Sequence, residues 1–191
     1  SATKELAKIL LEDSGEIQES DIKYSNKRRL AEGQPLLKPL YTIEDAKNSY
    51  SHFIDVKYGT WEQVIDGVEV FFTDAGHIIG SACVHLRIKE NGVTRQLTFS
   101  GDVGRYRDVI LKSPETFPQA DFILLESTYG NSLHDDVVTT PDHLLEWINK
   151  ACLQKRGKLI MPAFSVGRTQ EILFQKPDQF LSLKPKIEKQ L

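Results

Sequence analysis

"ACVHLRIKENGVTRQLTFS", residues 82–100, is the stretch on which the fold turns. Over 82–90 the side chains alternate. Ala82, Val84, Leu86 and Ile88 share one face, and Cys83, His85, Arg87 and Lys89 share the other, the period-two signature of a strand. Asn91-Gly92 is the residue pair of a two-residue hairpin turn, and "TRQLTFS" (94–100) carries the chain back. The apolar face reads as the core side, which makes His85 a surface histidine. Just upstream, "VEVFFT" (68–73), rich in β-branched and aromatic residues, reads as another strand of the same sheet.

Downstream the rhythm changes. "FILLES" (122–127) is a continuous apolar run, as in a strand buried on both faces. Thr140 and Pro141 open a helix, as cap and first-turn proline, with Leu144, Leu145, Ile148, Ala151 and Cys152 on its apolar stripe. "KLIMPA" (158–163) reads as a second buried strand and "SVGRTQEILFQ" (165–175) as a second helix. This β-α-β-α order predicts parallel strands with a right-handed crossover. Hairpin and parallel parts together predict an α/β layered fold with a mixed sheet. Beyond Gln175 the prolines at 177 and 185 predict an irregular tail, residues 176–191.

Upstream, residues 3–12 read as a helix, with Leu6, Ile9 and Leu10 on one stripe and Gly15 interrupting it. Residues 16–40 are charge-rich and read as an exposed helical arm or a long connection. Within them Lys27, Arg28 and Arg29 read as a solvated face rather than a polyanion contact. Thr42 starts the next helix as its cap, with Asp45 at the third helical position.

The bulk properties narrow the class. A chain of 191 residues favours one domain, or one and part of another. Forty per cent apolar residues can build a core, and a formal charge of -3 provides no global basic field for nucleic acid. No run of 18 or more apolar residues occurs, so no membrane span is expected. The first residues, "SATKELAKIL", lack the pattern of a signal peptide, and the one methionine is Met161, so the chain reads as trimmed at its start. Cys83 and Cys152 are far apart, form no metal pair, and read as free buried thiols of a cytoplasmic protein.

Chemistry-bearing residues gather after the strands. His77 follows 68–73, flanked by Gly76 and Gly80; Asp102 follows 94–100 in "SGDVGR"; Glu126 closes 122–125; Ser165 and Arg168 follow 158–163 at a helix start. In open α/β sheets, ligands bind at the carboxyl ends of the strands. An imidazole and a carboxylate at such an edge suit a zinc-like ion. A carboxylate such as Glu126 can hold another ligand in orientation. A helix start with Ser165 and Arg168 suits a phosphate. Each residue alone also fits an ordinary turn or capped helix; the gathering makes the candidate site. His52 and His143 read as structural. His134, beside Asp135 and Asp136, reads as a loop histidine.

The segments "FTDAGHIIGSA", "FSGDVGRYRDVIL", "LLESTYGN" and "GKLIMPAFSVGRTQEIL" resemble, in order and spacing, the β-CASP branch of the metallo-β-lactamase superfamily, whose members are RNA-processing nucleases. "ATKELAKILLEDSGEIQESD" and "PLYTIEDA" add to the resemblance, which covers roughly residues 2–174. It implies an αββα sandwich holding two zinc ions and a hydrolase that cleaves RNA phosphodiester bonds. His77 then matches a ligand of one zinc and Asp102 the carboxylate bridging both, while Glu126 matches an acidic residue that orients the site. Asp102 and Glu126 are thus the candidate catalytic residues, with Ser165 and Arg168 as phosphate contacts where the lactamase domain turns into the β-CASP domain. The family's H-x-H-x-D-H motif occurs nowhere in the chain. The expectation is therefore a partial metallo-β-lactamase domain, residues 1–175, from a longer nuclease. Such a piece would be inactive by itself, hold zinc weakly or not at all, and be prone to pair with a second copy through an uncovered sheet face. A non-catalytic scaffold member of the family, or another hydrolase on the same fold, is the alternative.

Overall fold

A computed structural model describes residues 1–133 and 140–174. Its elements are α1 (Ala2–Ala31), α2 (Ile43–Ser49) followed by a 3-10 turn (Tyr50–His52), β1 (Glu62–Ile65), β2 (Val68–Asp74), β3 (Ala82–Glu90), β4 (Val93–Phe99), β5 (Phe122–Leu124), α3 (Thr140–Ile148) continued by a π-helical turn (Asn149–Gln154), and α4 (Arg168–Phe174). The strands form one sheet in the order β1-β2-β3-β4-β5, antiparallel up to β4 and parallel between β4 and β5. This is the expected α/β class with a mixed sheet. None of the described helices is long and apolar enough to cross a membrane.

The hairpin forms as its sequence demands. Asn91 and Gly92 both have positive φ, 49° and 77°, and Glu90 pairs with Val93 across them. This is the backbone of a type I′ turn, which Asn-Gly tolerates at least cost.

Which face is buried differs from expectation. The side chains of β3 most fully removed from solvent are Cys83 and His85, at 0% and 1% exposure, not Val84 or Leu86. Register explains it. His85 lies opposite Phe71 on β2 and Thr98 on β4. Its Nε2 meets the Thr73 hydroxyl at 2.9 Å and its Nδ1 the Thr98 hydroxyl at 2.8 Å. The rings of Phe71 and Phe117 cover it, at centroid distances of 5.8 and 5.7 Å. A buried imidazole costs little when both nitrogens are satisfied. Burial holds the His85 pKa below its ordinary value and pushes the Cys83 thiol up. Cys83 and Cys152 are both free, with Cys152 only half-buried.

Two downstream expectations fail. β5 is an edge strand among the described residues, and Phe122, Ile123 and Leu124 are all about half exposed, at 55%, 55% and 54%, rather than buried on both faces. Residues 158–163 form no strand, and Ile160 is 86% exposed. The parallel crossover expected between them is therefore not formed. An apolar run forms a strand only where a neighbour completes its ladder, and β5 does not supply one. α4 covers Arg168–Phe174 among the described residues and starts three residues later than expected. His134 and the tail beyond Phe174 lie outside the described residues, as do the side chains of Thr140 and Pro141.

At the other end, Gly15 does not interrupt α1. The helix runs unbroken for 30 residues. Gly15 is its one buried position because the chain entering α2 crosses there. A Cβ on Gly15 would lie 3.0 Å from the Ile43 nitrogen and 3.1 Å from the Thr42 carbonyl carbon. Residues 33–42 then fold back along the helix. Asn26 exchanges two hydrogen bonds with the Leu37 backbone, donating from Nδ2 at 2.9 Å and accepting at 2.8 Å. Gln18 accepts from the Leu40 amide at 3.2 Å and Glu19 from the Ile43 amide at 3.1 Å. The charged arm is thus a helix with a strap along it. Thr42 caps α2 as expected, accepting from the Asp45 amide at 3.1 Å while the Asp45 carboxylate accepts from the Thr42 amide at 2.9 Å.

Candidate functional site

Strand directions bring the candidate residues to one edge. β2 and β4 both run antiparallel to β3, so they point the same way, and β5 is parallel to β4. Their carboxyl ends therefore lie together, and the loops after them carry His77, Asp102 and Glu126. β2 and β4 are not neighbours, because β3 starts between them. The loops close over that start. His77 Nε2 and Asp102 Oδ2 lie 3.7 Å apart, with side chains 44% and 73% exposed. His52 and His143 stand elsewhere, on the 3-10 turn and on α3.

The His77 loop is shaped by its own backbone bonds. Gly76 donates to Asp74 Oδ1 at 2.8 Å. The amides of His77 and Ile78 both point at Ser81 Oγ, at 3.1 and 3.2 Å. Gly76 takes φ of 63°, and a Cβ there would lie 2.7 Å from the Lys112 carbonyl oxygen. That position thus needs glycine for conformation and for space. Outside supports complete the loop. Tyr58 donates its hydroxyl to the Ser81 carbonyl at 2.8 Å, and Thr3 at the start of α1 donates to the Gly80 carbonyl at 2.6 Å. The result is an imidazole held outward by a turn whose amides are satisfied internally.

The Asp102 loop is tied on both sides. Gly104 donates to the Ala75 carbonyl at 2.8 Å, joining it to the His77 loop, and a Cβ on Gly104 would land on the Gly76 carbonyl. On the other side Glu126 accepts from the Val103 amide at 2.6 Å through Oε1 and from the Thr128 hydroxyl at 3.0 Å through Oε2. Glu126 is held in turn, its own amide donating to the buried Ser100 hydroxyl at 3.0 Å. A charged acceptor on a backbone amide makes a strong, short bond. Ser81, Ser100 and Gly104 were not singled out from sequence; only the paired loops reveal what they do.

Ser165 and Arg168 do not follow a strand; they stand on either side of Gly167, which approaches the His77 loop. Gly167, at φ of 88°, sits so close to the His77 loop that a Cβ there would lie 3.2 Å from Ile78 Cγ2. The Ser165 carbonyl accepts from the Gln170 side-chain amide at 2.9 Å. Arg168 Nη1 donates to Glu171 at 2.6 Å, with its side chain 54% exposed.

His77 and Asp102 can share one ion. Zinc bonds of about 2.1 Å place two tetrahedral ligands about 3.4 Å apart, close to the spacing observed. Two donors make one edge of a coordination shell, whereas a catalytic zinc takes three protein ligands. Among the described residues no group of three His, Cys, Asp or Glu side chains is placed to hold a metal.

The sheet is an α/β scaffold with a His–Asp pair at its strand ends. No protein-family profile matches the chain. It is 35% identical over 136 residues to ribonuclease TTHA0252 of Thermus thermophilus, an alignment covering 71% of this chain and 30% of that protein. Transcription termination factor FttA of Pyrococcus abyssi is 32% identical over 179 residues, 92% of this chain and 25% of that protein. Endoribonuclease YSH1 of Kluyveromyces lactis is 33% identical over 135 residues, 70% of this chain and 17% of that protein. The chain belongs with these proteins to the β-CASP branch of the metallo-β-lactamase superfamily. It spans less than a third of the length of each of these three relatives.

Proposed function

We propose that this chain carries part of the active site of a metal-dependent hydrolase that cleaves RNA phosphodiester bonds. The observation that carries the reading is the His77–Asp102 pair, 3.7 Å apart where β2, β4 and β5 end. The ribonuclease names of two relatives support RNA as the substrate.

In this reading His77 and Asp102 would hold zinc, with the remaining ligands coming from outside the residues described. When bound, such ions activate water and offset charge on the phosphoryl oxygens. The chain's own residues orient and bind. Glu126 fixes Asp102 through the Val103 amide, a supporting contact of the kind that sets ligand direction in metal sites. Ser165 and the exposed part of Arg168 contact an RNA phosphate. Residues 1–175 form part of the lactamase-type domain and run into the start of the β-CASP region, in a protein of the cytoplasm. The 191-residue chain by itself holds zinc weakly, does not cleave RNA, and pairs with a second copy.

The test is RNA cleavage with and without added zinc, on the 191-residue chain and on any longer product of its reading frame. The expected result is metal-dependent cleavage by a longer product, abolished by Asp102→Ala, with no cleavage by the chain alone. A longer product that binds RNA without cutting it, with or without metal, would overturn the enzyme reading in favour of a scaffold.

A further inference from the structure

Glu171, on the first turn of α4, is buried, at 8% exposure. It meets two arginines. Oε1 accepts from Arg105 Nη2 and Oε2 from Arg168 Nη1, each at 2.6 Å. Arg168 belongs to the same helix. Arg105 does not: it stands three residues after Asp102, in the loop that leaves β4. The same Arg105 nitrogen reaches Asp108 Oδ2 at 3.3 Å, and Asp108 Oδ1 accepts from the amides of Ile110 and Leu111 at 2.9 and 3.0 Å.

We propose that Glu171 is a positioning residue: through Arg105 it locks α4 against the Asp102 loop and so sets the geometry of the His77–Asp102 pair. Three observations converge. A carboxylate this far from water is stable only with its cations in place, and removing one partner is felt strongly. An exposed ion pair would be nearly dispensable. Arg105 follows Gly104, whose amide is the bond between the Asp102 and His77 loops. α4 also begins against Ile78, through the close approach of Gly167. The helix therefore touches both loops one to three residues from the two candidate ligands. If Glu171 only anchored its own helix, Arg168 would suffice as its partner.

The consequence for chemistry rests on the metallo-hydrolase reading, but the structural claim does not. Hydrogen–deuterium exchange on the 191-residue chain, without RNA or added metal, separates them. In Glu171→Gln, peptides covering 101–108 and 75–81 are expected to exchange about tenfold faster, as when a local opening becomes easier. Peptides within β3, residues 83–89, are expected to stay unchanged. Arg105→Lys, which keeps the charge but loses the fork, is expected to give the same pattern more weakly, and Glu171→Asp to restore part of the protection. Faster exchange confined to residues 165–174 would overturn the proposal, leaving Glu171 as an anchor of α4 alone. A uniform rise including β3 would overturn it as well, because the effect would then be global stability. Neither outcome bears on RNA cleavage, and a failed cleavage assay leaves the exchange result standing. In any longer product that cleaves RNA, Glu171→Gln is expected to lower kcat and leave KM unchanged.

Discussion

His85 has both ring nitrogens committed to threonine hydroxyls inside the protein, and burial depresses its pKa. In the unfolded chain the imidazole titrates at its ordinary value, 6.5. Above that pH both states are neutral and its contribution to stability is complete. As the pH falls through 6.5 toward the lower folded value, the unfolded chain binds more protons, so stability is lost. The midpoint of urea unfolding is therefore expected to drop between pH 7 and pH 5, and to drop less in His85→Gln. Equal slopes for the two proteins would show that another group governs the acid limb. A second single-residue prediction concerns Gly104, whose missing Cβ leaves room for the Gly76 carbonyl. Gly104→Ala must separate the two loops, and such overpacking costs about 2 kcal/mol. Thermal unfolding should show it, and an unchanged Tm would mean the loops are not held as tightly as described. Neither residue's role could be read from sequence. Alternation told which side chains share a face with His85, but only strand register brought Thr73 and Thr98 to its two nitrogens. A satisfied imidazole buries where an unsatisfied one would not.

Elements were legible in proportion to how local their determinants are. Asn91-Gly92 fixed its hairpin and Thr42 with Asp45 fixed the start of α2, because turn and cap are decided within four residues. The carboxyl ends carrying His77, Asp102 and Glu126 followed from strand order. The strand expected at 158–163 did not form, because a strand needs a partner that the segment itself does not encode. Gly15 misled for a related reason. Glycine in a helix costs about 1 kcal/mol against alanine, so it reads as a break. Here it is the contact point that lets residues 42 and 43 cross α1. An alanine at an open helical position would raise stability. Gly15→Ala is expected to lower it, since the new methyl meets rigid backbone at 3.0 Å. Circular dichroism melting decides the sign, and a higher Tm would show that α2 can shift to make room.

At the scale of the whole molecule, the sheet has two unlike faces. One packs Thr73, Cys83, His85 and Thr98 out of solvent, beneath Phe117 and beside Phe71. The other carries Val68, Val70, Phe72, Val84, Leu86, Leu97, Phe99, Phe122 and Leu124, as the register places them, and only Val70 among these is buried. Helix α1 packs chiefly against α2 rather than over this face. Most of these residues are half-buried, and Phe122 and Leu124 at the β5 end are exposed. Covering apolar surface releases about 25 cal/mol for each Å² removed from water, so a partner seated there would be favoured. Among the described residues β5 also has no strand on its outer side, an edge open to pairing. Light scattering of the 191-residue chain is therefore expected to give a mass that rises with concentration from 21.7 kDa toward twice that value. Leu86→Lys, at the centre of the face and opposite Val70 and Leu97, is expected to hold the mass at one chain without lowering Tm, since a lysine there is tolerated only while the face meets water. A single-chain mass at the highest concentration reached, in the unsubstituted protein, would show that the face is stable in solvent without a partner.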